Sequence, residues 1–177
     1  DSHGNGENLL IDQFPDDITI VRSWPRPNMM MEGVDSSFAA AVFIGYHSGT
    51  SNVKGVRAHT MSGATLTGVK LNGREVPEGG INAAIAGYYG VPIVMVSGDD
   101  AAVAEVSPFG VGMEGAIVKR AISFHSAATM TPKAGQAASA GLKAAGFAGG
   151  IVTQGLNKAI ADLTSADITT RLDTSEA

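Results

Sequence analysis

Four histidines stand in a chain of 177 residues, at positions 3, 47, 59 and 125. Two of them share one short stretch, "VFIGYHSGTSNVKGVRAHTM", from Val42 to Met61. His47 closes an apolar run of strand length, and His59 follows twelve residues later in a polar turn region. An imidazole can hold a divalent metal or move a proton near neutral pH. Functional groups in α/β sheets gather where strands end at their carboxyl edge, and the position after the apolar run puts His47 on that rim. His3 lies in a Gly-rich turn, two residues from Asp1. Glu78 opens the helix after a hairpin. Two neutral imidazoles and one acid from three separated loops, His3, His47 and Glu78, are the donors a hydrolytic zinc site requires. Such a site lowers the pKa of bound water to ~7 and polarises a carbonyl. The spacing matches no short zinc motif, neither H-E-x-x-H nor H-x-H.

Each of these residues also has a structural explanation. A loop histidine commonly sits at the surface or serves a hydrogen bond. Glu78 suits the first turn of a helix as an acid facing the dipole. His125, in "ISFHSA", reads as structural. Met29–Met31 reads as packing material. Asp99 and Asp100 follow a strand and Ser97-Gly98, a position that suits a helix cap. A metal phosphohydrolase using Asp99 and Asp100 as ligands is the enzymatic rival. It requires Asp99→Ala to abolish metal binding while His47→Ala spares it.

Composition removes other classes. Apolar residues make up 44% of the chain and charged residues 16%, with a net charge of -5. This excludes a disordered tail and a basic nucleic-acid-binding surface. Without cysteine there is no disulfide, thiolate nucleophile or zinc-thiolate site, so any metal must be held by His, Asp and Glu. No G-x-S-x-G motif or P-loop is present. No run reaches the ~20 apolar residues of a membrane span. No signal peptide is visible, and the compartment stays open between the cytoplasm and, after signal removal, the periplasm or exterior.

These residues need a scaffold, and the patterning describes one. "ITIVRSW" (18–24) and "FAAAVFIGY" (38–46) read as strands, the second buried on both faces. Asn72-Gly73 between alternating segments predicts a type I′ β-hairpin. "EGGINAAIAGYYG" (78–90) reads as a helix closed by Gly90. "PIVMVSG" is a buried strand, "DDAAVAEV" a helix capped by Asp99 or Asp100, and "GAIVKRAIS" a further strand. Thr131-Pro132 starts an Ala-rich helix, and the signal fades after about residue 146. The expectation is a single α/β domain over residues 1–177, a mainly parallel sheet flanked by helices with an inserted hairpin near Asn72-Gly73.

The segments "DSHGNGENLL", "VFIGYH", "AHTMSG", "LNGREVPEGGINAAIAGYYGVPIVMVSGDD" and "AIVKRAIS…TPKAG" resemble the M55 peptidases, zinc-dependent D-aminopeptidases, over about residues 1–135. The resemblance implies a two-zinc site with His3, His47 and Glu78 among its ligands and His59 as the catalytic residue, acting as nucleophile or general base. It implies short peptides with an N-terminal D-amino acid as substrates and ring-shaped, decamer-like homo-oligomers. Asn82, one helical turn after Glu78, is expected to line the substrate site.

The family's D-x-E-G motif, which supplies two acidic ligands, is not found in these residues. It is expected roughly fifty or more residues upstream of Asp1, a strand-helix unit's worth of chain. The expectation is therefore a fragment, with a second polypeptide or a degenerate homologue as alternatives. A non-catalytic binding or oligomer-forming domain is the rival from another class.

Overall fold

Seven consecutive buried residues, Ile93–Asp99, organise the sheet. The computed structural model describes residues 3–131, 133 and 134. Of these, residues 3–33 fall in one compact unit and those from 34 onward in another. The second unit runs β1 (Ala41–Tyr46), β2 (Lys70–Leu71), β3 (Arg74–Glu75), α1 (Glu78–Tyr88), β4 (Ile93–Asp99), α2 (Asp100–Val106), β5 (Glu114–Ala121) and β6 (Ala127–Thr129). Its main sheet has the order β1-β4-β5-β6. β4 pairs in parallel with both β1 and β5, and β6 closes the other side antiparallel. The expected mainly parallel α/β sheet is therefore present. A continuous apolar run such as β4 suits its place between two neighbours with both faces covered.

β1 departs from expectation. It begins at Ala41, and while Phe43 is buried, Ile44 is 42% exposed. With β4 as its single strand partner among the described residues, β1 is an edge strand that buries one face. The stretch 18–24 forms no strand. β-branched residues favour a strand only where a partner ladder exists, and the described residues offer it none. Instead the Trp24 indole N–H donates to the Gly4 carbonyl at 2.9 Å and Arg26 lies over the indole ring.

The hairpin β2–β3 turns at Asn72 and Gly73, with φ of +51° and +80°, the pair of positive values a type I′ turn needs. α1 starts after Pro77 and stops before Gly90, φ +74°. Within α1, a Cβ at Gly79 would lie 2.6 Å from Val106 of α2, so the missing side chain lets the two helices touch. Asp99 rather than Asp100 caps α2, its carboxylate accepting from Ala102 N. β6 is too short and too alanine-rich to register as a strand in sequence. The Thr131 hydroxyl accepts from Ala134 N, as the expected cap would. The body of that helix and residues 147–177 lie outside the described residues. Among the described residues no helix is long and apolar enough to cross a membrane.

Candidate functional site

Strand β1 delivers His47 at its carboxyl end, and the chain loops back so that His59 N–H donates to the Ser48 carbonyl at 3.0 Å. The two imidazoles stack, with centroids 3.9 Å apart and planes 15° from parallel. Glu78, the first residue of α1, faces both. Its Oε2 lies 3.5 Å from His47 Nε2 and its Oε1 3.8 Å from His59 Nε2. Met61 N–H donates to the same Oε1 at 2.7 Å and fixes the carboxylate's rotation. Residues 47, 59 and 78, far apart in sequence, thus converge. His3 stands in the N-terminal unit, in a turn closed by Gly6 N–H donating to the His3 carbonyl at 3.0 Å. His125 lies in the β5–β6 turn, where its Nδ1 contacts Arg57.

The backbone selects which ring nitrogen faces the acid. His47 Nδ1 lies 3.1 Å from the Ser48 carbonyl, and His59 Nδ1 lies 2.7 Å from the Arg57 carbonyl. A carbonyl only accepts, so this network assigns the neutral-ring proton to Nδ1 in both cases. Each Nε2 lone pair is left toward Glu78. Metal-binding histidines are held this way, with the second nitrogen donating to a carbonyl. The His47 lone pair and the Glu78 carboxylate fit a zinc ion as two of its donors, with the His59 lone pair beside them.

Charge is arranged to match. Burial disfavours the His47 imidazolium, but the hydrogen bond and charge of Glu78 outweigh it and raise the pKa above the ordinary histidine value. His59 goes the other way, lowered by burial and then by the neighbouring His47. Burial pushes the Glu78 carboxyl up, yet the His47 contact, the Met61 N–H and His59 bring it below the ordinary glutamate value. One acid and two stacked imidazoles hold one proton between the rings more readily than two.

Two further carboxylates pin the loop that carries both histidines. Asp99, fully buried, accepts Val56 N–H at 2.9 Å on one oxygen and Ala102 N–H at 2.7 Å on the other. Glu105 of α2 accepts Gly49 N–H at 2.8 Å and the Asn52 amide at 3.3 Å. A Cβ at Gly55 would come within 1.7 Å of the buried Ser48 hydroxyl, so the loop closes on itself there. Asp100 holds Ala121 N–H and pairs with Arg120. These contacts spend Asp99 and Asp100 on structure, which removes the basis of the phosphohydrolase alternative. Asp99→Ala is accordingly expected to cost about 2–4 kcal/mol by orphaning two buried N–H groups. Denaturant unfolding measures that loss. Zinc stoichiometry in the surviving folded fraction should not change.

Asn82, expected to line the substrate site, is fully buried, and its amide donates to the Tyr46 hydroxyl at 2.6 Å. Burial in turn raises the Tyr46 pKa. α1 turns Asn82 toward Tyr46 of β1. Glu105, Arg57 and Tyr46 escaped sequence reasoning. The signal for Glu105 was an acid three residues after Ala102, on the buried side of α2.

The profile of the M55 peptidases, described as D-aminopeptidase, matches residues 1–149. The D-aminopeptidase of Bacillus subtilis (strain 168) is 37% identical over 140 residues, covering 77% of this chain and 49% of its own. The solved Zn-dependent D-aminopeptidase DppA from Bacillus subtilis, described as a self-compartmentalizing protease, superposes with a TM-score of 0.71 at 35% identity. That alignment covers 79% of this chain and 51% of the other. The chain thus spans about half the length of these relatives.

Proposed function

The chain belongs to the M55 peptidase family of D-aminopeptidases, and from that premise we propose that it is the metal-ligand and catalytic portion of a zinc-dependent aminopeptidase. Its substrates are short peptides with an N-terminal D-amino acid. The observation that carries the reading is the convergence of His47, His59 and Glu78 with both Nε2 atoms directed at one carboxylate. In this reading His47 and Glu78 would hold metal, and the family resemblance adds His3 to the ligands. A zinc ion held there would supply Lewis-acid chemistry toward the scissile carbonyl.

His59 supplies the proton chemistry. Its Nδ1–H is anchored on the Arg57 carbonyl, which orients the Nε2 lone pair and stabilises positive charge on the ring as it takes a proton or forms a bond. Its lowered pKa keeps the ring unprotonated at neutral pH. His59 is also the more open imidazole, with 21% of its side chain exposed against 11% for His47. The relative is described as self-compartmentalizing, and in this reading the chain too assembles as a homo-oligomer, ring-shaped and decamer-like.

The full-length protein tests the reading. D-alanyl-D-alanine should be hydrolysed in the zinc-supplemented protein and spared after chelation, with activity restored by zinc. L-alanyl-L-alanine should be left intact. A chelated protein as active as the loaded one would remove zinc from the reaction, and no turnover of any D-peptide would favour a non-catalytic domain.

A further inference from the structure

Arg57 sits two residues before His59 and spends its backbone on the site. Its N–H donates to the Phe124 carbonyl at 2.7 Å, and its own carbonyl holds the His59 ring. Its φ of +53° lies in the left-handed region, where asparagine or glycine is the usual occupant. An arginine kept in such a conformation beside a reaction centre points to a use for its side chain.

That side chain is braced rather than neutralised. One guanidinium nitrogen donates to His125 Nδ1 at 3.3 Å, and the group lies 5.5 Å from the Phe124 ring. Among the described residues no carboxylate pairs with it. A guanidinium has five N–H donors in a planar fork, so one bond to His125 leaves most of them free for an anion. Because His125 accepts at Nδ1, its Nε2 carries the proton and is a second donor. Phe124 is 46% exposed, so an apolar surface lies beside the fork.

We propose that Arg57, braced by His125 and Phe124, is a specificity-determining residue that binds the free C-terminal carboxylate of a di- or tripeptide. The inference rests on the aminopeptidase reading above. An extended chain advances about 3.5 Å per residue. The carboxylate of a dipeptide thus lies about 4 Å beyond the scissile carbonyl, and that of a tripeptide about 7 Å. The Arg57 charge is near enough to bear on the His59 imidazole, so the cation stands beside the residue that would act on the scissile bond. Guanidinium and carboxylate pair through two parallel bonds, so the site measures peptide length and selects free ends over internal sequence.

The test compares D-alanyl-D-alanine with its C-terminal amide on the zinc-supplemented full-length protein. Wild type should prefer the free acid by about 30-fold in kcat/KM, chiefly through KM. Arg57→Met keeps a Cβ at the strained backbone position while removing the charge. It should erase the preference by weakening the acid while leaving the amide within about threefold. Arg57→Lys, a point charge without the fork, should recover part of it. Equal losses on both substrates, or none on either, overturn the proposal. Should wild type cleave neither, the aminopeptidase reading falls on its own, and calorimetry with the same two compounds decides the carboxylate site. Tighter binding of the acid, lost in Arg57→Met, sustains it, and equal or absent binding of the two overturns it.

Discussion

His59→Ala in the zinc-loaded full-length protein is expected to lower kcat by about a thousandfold while leaving zinc content unchanged. The expectation separates two roles that lie within one small cluster. His47 is the more enclosed imidazole, and its raised pKa comes from Glu78 at 3.5 Å. His59 is farther from the acid, more exposed and held neutral. A group that must meet substrate and accept a proton at neutral pH needs those properties. Elemental analysis beside steady-state kinetics reads both arms. Turnover near wild type would remove His59 from the chemistry. Loss of zinc together with turnover would make it a ligand.

The parts of this site legible in sequence were those encoded by local rules. Asn72-Gly73 marks a turn, Gly90 a helix end and the Asp99-Asp100 pair a cap, which Asp99 takes, and each stands where its local chemistry demands. Glu78 was placed correctly at the head of α1 because Pro77 and the apolar spacing mark the start. What sequence did not carry was long-range. No spacing rule brings His59 back onto the Ser48 carbonyl, since that closure depends on Asp99 and Glu105 reaching across from β4 and α2. β1 read as doubly buried because apolar content reports hydrophobicity and not the number of neighbouring strands. Residues 18–24 read as a strand for the same reason. Helical periodicity places Asn82 above Glu78 but does not say that this side of α1 meets Tyr46 of β1.

Glu78→Gln carries the second large expectation, because this side chain joins the two histidines electrostatically. Glutamine preserves shape and can still accept Met61 N–H through its oxygen, so the fold is retained. It removes the negative charge, and if Glu78 is the proposed ligand zinc affinity should fall by about 100-fold or more, measured by competition with a chelator of known affinity. The zinc-free protein gives an independent readout. Glu78 is lowered from 4.5, so its contribution to stability is present above that value and is lost as pH falls through the folded pKa. His47 is raised from 6.5, so its contribution is present below that value and is lost as pH rises through the folded pKa. The pair therefore stabilises the zinc-free protein most between 4.5 and 6.5. In Glu78→Gln this maximum should flatten by about 1–2 kcal/mol. His47, still buried but without its acid, should titrate below 6.5, as followed by its ring proton resonances. A variant that binds zinc as wild type does, with His47 unmoved, would reduce Glu78 to a first-turn acid facing a helix dipole and leave the metal without the carboxylate this chain offers it.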